Sequence, residues 1–110
     1  AVEPFVTRKD ADGAVQEADE AFIYRFVRAK GAKSKAAVAL ADTLQHNYKT
    51  MPFAARWVFN SEGSKLAFEE LISNRCVVGY PVLVEVSGSV VAQAEHTLVI
   101  TTDGCRVLTN

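Results

Sequence analysis

The chain has 110 residues, of which 49% are hydrophobic and 23% are charged, and its formal net charge is −1. A chain of this length fits one domain, and a nearly neutral charge provides no general attraction to nucleic acid or to anionic membranes. No apolar run approaches the roughly 20 residues of a membrane-spanning helix. The two cysteines, Cys76 and Cys105, lie far apart without metal-binding spacing, so we expect free thiols in a reducing compartment.

The first 29 residues predict two strands with a polar, mostly acidic segment between them. Residues 1–7 (AVEPFVT) form the first strand, and an edge position or a bulge is expected because Pro4 cannot donate a ladder hydrogen bond. Asp12-Gly13 in the acidic segment is a turn signal that would close a hairpin. Residues 21–29 (AFIYRFVRA) carry aromatic side chains at alternating positions and predict the second strand.

Three helices are predicted between residues 34 and 75. Ser34 can cap the first, residues 34–48, which has one apolar stripe. Pro52 suits the first turn of a short second helix over residues 52–59, with Trp57 anchored in the core. The third covers residues 65–75 and ends near Asn74. The inward side chains of the first helix are Ala37, Leu40, Ala41, Leu44 and Tyr48, and those of the third are Ala67, Phe68, Leu71 and Ile72.

Residues 81–86 and 90–100 predict a hairpin through Ser87-Gly88-Ser89, and a last strand over residues 106–108 follows a turn at Asp103-Gly104. Three helices followed by a hairpin is the element order of a winged helix. The third helix is electrically neutral, however, whereas helices that bind DNA are basic. The basic segment Arg25–Lys35 predicts a solvated surface, with a nucleic-acid contact as the alternative.

Residues 90–100 (VVAQAEHTLVI) contain the most informative carboxylate of the chain. Because strand side chains alternate between faces, Glu95 shares its face with Gln93 and Thr97, and His96 lies on the opposite, apolar face. Glu95 is either an exposed polar residue or a ligand, because a buried carboxylate needs a partner such as an arginine or a metal ion. We expect His96 to support the strand through a hydrogen bond rather than to bind metal.

Three sequence blocks together point to a known family. They are AVEPF at residues 1–5, MPFAARW at residues 51–57 and GYPVLVEVSGSVVAQAEHTLVI at residues 79–100. In this order they resemble the C-terminal part of type II methionine aminopeptidases, the archaeal and eukaryotic branch, over essentially the whole chain. The resemblance implies an α+β fold, the C-terminal portion of a pita-bread (creatinase/aminopeptidase-like) domain. Residues 1–29 and 89–110 would belong to the incomplete catalytic domain, and residues 30–88 would form a winged-helix-like insertion.

The resemblance also implies a site. Glu3 and Glu95 match ligands of a centre with two divalent metal ions (Co, Mn, Fe or Zn), and Glu95 matches the ligand that bridges both. Oxygen ligands suit such a two-metal hydrolytic centre. The residues that match the family's substrate pocket are Phe5, Ile23, Pro52, Tyr80 and Leu83. No catalytic residue is assigned, because the family's aspartate and histidine ligands lie upstream of the block matched by residues 1–5.

The implied function is removal of the N-terminal Met from nascent polypeptides in the cytoplasm. The implied partner is the missing N-terminal half of the catalytic domain, with no role for membranes or nucleic acid. With only two metal ligands, the chain is expected to be inactive by itself. The alternative is a self-standing winged-helix-like module that binds nucleic acid or protein. The presence of both Glu3 and Glu95 within their matching blocks favours the enzyme.

Overall fold

A computed structural model describes residues 1–109 of the chain and contains both helices and strands. The helices are α1 (Lys35–Asn47) and α2 (Glu62–Ser73). The strands are β1 (Phe5–Thr7), β2 (Val15–Phe26), β3 (Phe53–Ala54), β4 (Val77–Glu85), β5 (Val91–Gln93), β6 (Leu98–Thr101) and β7 (Gly104–Val107). The prediction of a mixed helix-and-strand fold is therefore confirmed. None of the helices within residues 1–109 has the length and apolar character needed to cross a membrane.

The chain divides into two compact units. One unit is Ala18–Val82, here called the helical unit, and the other joins Ala1–Glu17 to the chain from Leu83 onward, here called the strand unit. The boundaries fall within β2 and β4, so each of these strands contributes residues to both units. The predicted domain boundaries at residues 30 and 88 stay a prediction.

The helical unit contains the apolar core. α1 packs against α2, and the sheet of three strands has the order β3-β2-β4. β3 is antiparallel to β2, with Ile23 opposite Ala54 and Tyr24 opposite Phe53. The largest fully buried side chains are Phe53, Phe68, Leu44, Leu71, Val77 and Cys76. Cys76 and the exposed Cys105 are both free thiols, as predicted.

The predictions for the first and third helices are confirmed apart from details. Ser34 caps α1 by accepting a hydrogen bond from the Ala37 N–H at 3.0 Å. α2 begins earlier than predicted, because the Ser61 side chain caps it through a bond with the Ser64 N–H. Asn74 ends α2 as expected. Of the predicted inward side chains, Ala37, Ala41, Leu44, Ala67, Phe68 and Leu71 are buried, whereas Ile72 is exposed.

The prediction of a second helix over residues 52–59 is wrong. Phe53–Ala54 pairs with β2 instead, and only Ala55–Trp57 forms a single 3₁₀ turn. The pairing is stabilised by burial of Phe53, whose ring stacks on Tyr48 with centroids 4.8 Å apart. Trp57 also stacks on Tyr48, but 60% of it is exposed, so its predicted role as a core anchor is wrong.

The strand unit contains two antiparallel ladders, β1 with β5 and β6 with β7. Strands from both ends of the chain thus lie side by side, as expected. The predicted hairpin of residues 81–100 is wrong, because the sheet neighbour of β4 is β2 and that of β5 is β1. For the same reason Asp12-Gly13 does not close a hairpin between β1 and β2. A winged-helix-like insertion is not confirmed.

Residues 90–100 do not form one strand, because the backbone changes partner within this segment. β5 and His96 pair with residues 2–7, whereas β6 pairs with β7 across the turn at Asp103-Gly104. The last strand is therefore confirmed, and the uninterrupted strand is wrong. The change of partner falls directly after Glu95 and His96, so both residues still belong to the ladder with the N-terminal segment.

Candidate functional site

The ladder between the two ends of the chain brings the two candidate metal ligands together. Two cross-strand pairs fix its register, Phe5 with Gln93 and Val2 with His96. Both strands advance by three residues between these pairs, so there is no bulge. Glu3 is therefore directly opposite Glu95, and opposed residues of an antiparallel pair project from the same face.

The hydrogen-bond pattern shows which kind of pair the two glutamates form. Val2 and His96 exchange both backbone bonds, with N···O distances of 2.9 and 3.0 Å. The Ala94 N–H donates to the Pro4 carbonyl at 3.3 Å, and Pro4 has no N–H to return the bond. Because the two pair types alternate along the ladder, the intervening glutamates form a non-hydrogen-bonded pair. Such pairs hold Cα atoms about 4.5 Å apart, with their side chains close.

Two carboxylates in this position fit a cation. Glu3 and Glu95 are both exposed, and like charges directly opposite each other destabilise a ladder. A divalent cation between them would replace repulsion by attraction, and carboxylate oxygens are suitable ligands for such ions. Within residues 1–109, no cluster of three or more His, Cys, Asp or Glu side chains could hold a metal. The pair of Glu3 and Glu95 thus has no third side chain of these types beside it within the described residues.

Gln93 contacts one of the two glutamates. Its Nε2 lies 2.6 Å from Oε1 of Glu3. Since an ionised carboxylate only accepts hydrogen bonds, the amide nitrogen is the donor in this contact. Sequence reasoning placed Gln93 on the face of Glu95 but did not identify it as a site residue. The ladder register, which puts Gln93 diagonally across from Glu3, was needed to find it.

His96 projects from the opposite face of the ladder, as predicted from strand alternation. Its Nδ1 lies 2.7 Å from the carbonyl oxygen of Thr109 and 3.3 Å from the Thr109 hydroxyl. The same hydroxyl accepts a bond from the Thr97 N–H at 2.9 Å. These contacts fasten the segment after β7 to the backbone beside Glu95. The role of Thr109 had no signal in the sequence.

Two of the predicted pocket residues, Ile23 and Pro52, line one open hollow of about 320 Å³ in the helical unit. The pairing of β3 with β2 brings them together. The further residues around this hollow include Phe22, Ala54, Arg56 and Trp57. Because Phe22 and Trp57 are 66% and 60% exposed, the hollow offers apolar surface to a ligand beside the charge of Arg56.

The other three predicted pocket residues do not line this hollow. Phe5 follows Glu3 on the same face of the ladder and is 60% exposed. Leu83 lines a separate open hollow beside the turn of residues 87–89. Tyr80 lies in β4 and is partly exposed, and it is not among the residues around Ile23 and Pro52.

Glu85 is the one buried charged residue among residues 1–109, with 4% of its surface exposed. Its carboxylate accepts four hydrogen bonds: from Gly13 N (3.0 Å), Ser87 N (2.8 Å), Ser87 Oγ (2.5 Å) and Ser89 N (3.1 Å). The bond from the Ser87 hydroxyl is the main cause that lowers the pKa of Glu85, and the backbone bonds act in the same direction against burial. Glu85 thus joins two turns of the strand unit and has no free oxygen for a ligand.

The comparison with curated proteins identifies relatives over nearly the whole chain. The methionine aminopeptidase of Methanocaldococcus jannaschii is 39% identical over 109 residues, which is 99% of this chain and 36% of the relative. The enzymes of Methanothermobacter thermautotrophicus and Saccharolobus solfataricus are 36% and 32% identical, again over 99% of this chain and 37% of the relative. The chain therefore spans just over a third of the length of these relatives. No protein-family model matches it.

A solved structure confirms the fold. A thermophilic Arx1 superposes with a TM-score of 0.75 over 96% of this chain and 28% of its own, at 19% sequence identity. At this identity the likeness concerns the fold alone. The sequence relatives confirm the resemblance of this chain to the C-terminal part of methionine aminopeptidases.

Proposed function

We propose that this chain, which is homologous to the C-terminal part of archaeal methionine aminopeptidases, supplies two carboxylate ligands to a dinuclear metal centre that removes N-terminal Met from polypeptides. The centre is completed by ligands from the N-terminal part of the catalytic domain, so the 110 residues alone are inactive. The fold of the complete catalytic domain is proposed to be the pita-bread fold. Its location is proposed to be the cytoplasm, which agrees with two free thiols.

The observation that carries this proposal is the register that sets Glu3 opposite Glu95. Two distant parts of the sequence meet in a single pair of carboxylates, and both belong to blocks that resemble the enzyme family. A ladder that served only structure would be more stable with opposite charges or apolar groups at these positions. The repulsion is accounted for if a cation binds there.

The metal ions, when bound, would supply Lewis acidity and a nucleophilic water. The chain itself contributes anionic oxygens at fixed positions on a paired backbone. Glu3 and Glu95 would hold the ions as two members of a larger ligand set, and carboxylate oxygens are compatible with Co, Mn, Fe and Zn. The substrate class is the N-terminus of a nascent polypeptide.

Binding of the Met side chain is proposed for Ile23 and Pro52, which line one hollow, while a pocket role for Phe5, Tyr80 and Leu83 stays a prediction of the family resemblance. The open hollow at Ile23 and Pro52 supports this, because its volume of about 320 Å³ exceeds that of one side chain. The exposed ring of Trp57 adds apolar surface to the same hollow.

The proposal is tested by Glu95→Gln and Glu3→Gln in the complete enzyme, in which this chain is joined to its N-terminal part. Each substitution keeps the side-chain shape and removes the anionic charge, so it should abolish removal of Met from peptides with a small second residue. The number of metal ions retained after dialysis, measured by plasma mass spectrometry, should fall as well.

Glu69→Gln on the exposed surface of α2 is the matched control and should retain wild-type turnover and metal content. Wild-type turnover of Glu95→Gln in buffer saturated with metal would refute the ligand assignment. Turnover by the isolated 110-residue chain would refute the requirement for the N-terminal part.

A further inference from the structure

We infer that Gln93 is a positioning residue that holds one carboxylate oxygen of Glu3 and thereby directs the other oxygen to the metal. This inference rests on the proposed function, because it assumes that Glu3 binds a metal. It adds a residue of this chain that determines the geometry of the centre without binding metal itself.

The contact between the two side chains is short and directional. Gln93 is opposite Phe5, so it lies one step along the ladder from the Glu3–Glu95 pair and on the same face. Its amide nitrogen reaches Oε1 of Glu3 at 2.6 Å. Hydrogen bonds to an ionised carboxylate are shorter and stronger than those between neutral groups. One donor on Oε1 restricts the rotation of the carboxylate, and within residues 1–109 no hydrogen bond occupies Oε2.

The two glutamates consequently differ, although the register places them symmetrically. Among residues 1–109, no side chain or backbone group donates a hydrogen bond to the Glu95 carboxylate, whereas Glu3 has the Gln93 amide. Glu95 therefore keeps both oxygens free of hydrogen bonds within residues 1–109, an arrangement suited to a ligand shared by two ions. Glu3 keeps one such oxygen, which suffices for a ligand of a single ion. The asymmetry arises from Gln93 alone within the described residues.

A purely structural role accounts poorly for this bond. Gln93, Glu3 and the opposed Phe5 are all exposed, so neither polar group needs the other to compensate for burial. Although the bond itself is short, forming it displaces water from two exposed groups, so its net contribution to the free energy of folding is small. The remaining effect of the bond is to orient Glu3 as a metal ligand. Hydrogen-bond partners of metal ligands typically alter metal affinity by 10–100-fold.

The test uses Gln93→Met in the complete enzyme, since Met has a similar length and no donor. We expect metal affinity, measured by calorimetry with Mn²⁺, to fall by about 10-fold or more, and the visible absorption spectrum of the Co²⁺-loaded protein to change. The melting temperature of the metal-free protein should stay at the wild-type value. Gln16→Met, at another exposed glutamine of the strand unit, is the control and should change neither affinity nor spectrum.

A second variant, Gln93→Asn, keeps the amide but shortens the side chain, and it should show the same losses. Wild-type Mn²⁺ affinity and an unchanged Co²⁺ spectrum in either folded variant would overturn the inference. That result is distinct from failure of the proposed function, in which Glu3→Gln and Glu95→Gln would also leave the metal affinity unchanged.

Discussion

At the scale of single residues, Glu85 shows how a carboxylate becomes structural. Four donors from two turns surround it, and it is almost completely buried. A buried charge is tolerated only when it is paired or fully hydrogen-bonded. The ionised form satisfies all four donors, whereas a protonated carboxyl would have to give up at least one of them.

The pH dependence of folding tests this role. The pKa of Glu85 is lowered from its ordinary value of 4.5, mainly by the Ser87 hydroxyl. Stabilisation is therefore complete above the ordinary value and is lost as the pH falls through the lowered pKa of the folded state. We expect Glu85→Gln to melt at a lower temperature than wild type at pH 7, with the difference narrowing below about pH 4.5.

Glu17→Gln, at an exposed glutamate of β2, is the control, and its melting temperature should depend on pH as that of the wild type does. Some acid sensitivity should persist in Glu85→Gln. Bonds from the Lys33 and Ser34 backbone also lower the pKa of Glu70, so that carboxylate contributes its own loss at acid pH. If the melting temperatures of wild type and Glu85→Gln differed by the same amount from pH 7 to pH 3, ionised Glu85 would not be the stabilising group.

The sequence allowed some of these residues to be identified and not others. Glu3 and Glu95 stood in blocks that resemble a known family, and strand alternation separated Glu95 from His96. The partners that hold them, Gln93 and Thr109, depend on the ladder register, which is a long-range property. The role of Glu85 depends equally on its approach to Gly13, 72 positions away along the chain.

At the scale of secondary-structure elements, the close approach of β4 to β2 depends on one glycine. A Cβ atom on Gly79 would lie 2.7 Å from the Cβ of Ala21 and 3.0 Å from the ring of Tyr24. These distances are shorter than van der Waals contact, and the methyl group of Ala21 has no rotamer with which to move away. The absence of a side chain at position 79 is therefore a packing requirement of this sheet.

Gly79→Ala should consequently destabilise the fold by about 1–3 kcal/mol, the usual cost of overpacking. Urea unfolding followed by circular dichroism measures this free energy. Gly63→Ala in the first turn of α2 is the matched control, since its nearest neighbour, Ser61 Oγ, is 3.8 Å from the added Cβ. That change should be neutral or stabilising by up to about 1 kcal/mol. Equal stability of the two variants would show that β4 can move away from β2 at no cost.

Local signals predicted the helices better than the strands. α1 and α2 have capping serines and a 3.6-residue apolar period, so each was found within a few residues of its observed bounds. Residues 52–59 have helical composition, but pairing of Phe53 with Tyr24 overrides that preference. Similarly, residues 90–100 look like one strand, and only the exchange of partner after His96 divides them.

At the scale of the whole molecule, the two units differ in how they bury apolar surface. Every fully buried apolar side chain of residues 1–109 belongs to the helical unit. Within the described residues, the strand unit has no such side chain and exposes many large apolar ones, among them Val2, Phe5, Val6, Val90, Ile100 and Leu108. The helical unit also exposes large apolar side chains, such as Phe22, Met51 and Leu66, but around a buried core. Composition indicated an ordinary globular chain, and it could not show this uneven distribution. Such exposed apolar surface suits contact with further polypeptide, in agreement with the proposed partnership with an N-terminal part.

We propose that Glu3 and Glu95 bind the same metal centre from opposite strands. A crystal structure of the complete enzyme grown with Zn²⁺, with anomalous scattering recorded at the zinc edge, would locate the ions and their ligands. We expect two anomalous peaks, each about 2.0–2.2 Å from carboxylate oxygens, with Glu95 in contact with both and Glu3 in contact with one through Oε2. Peaks bound by other side chains, with Glu3 and Glu95 uncoordinated, would contradict this proposal.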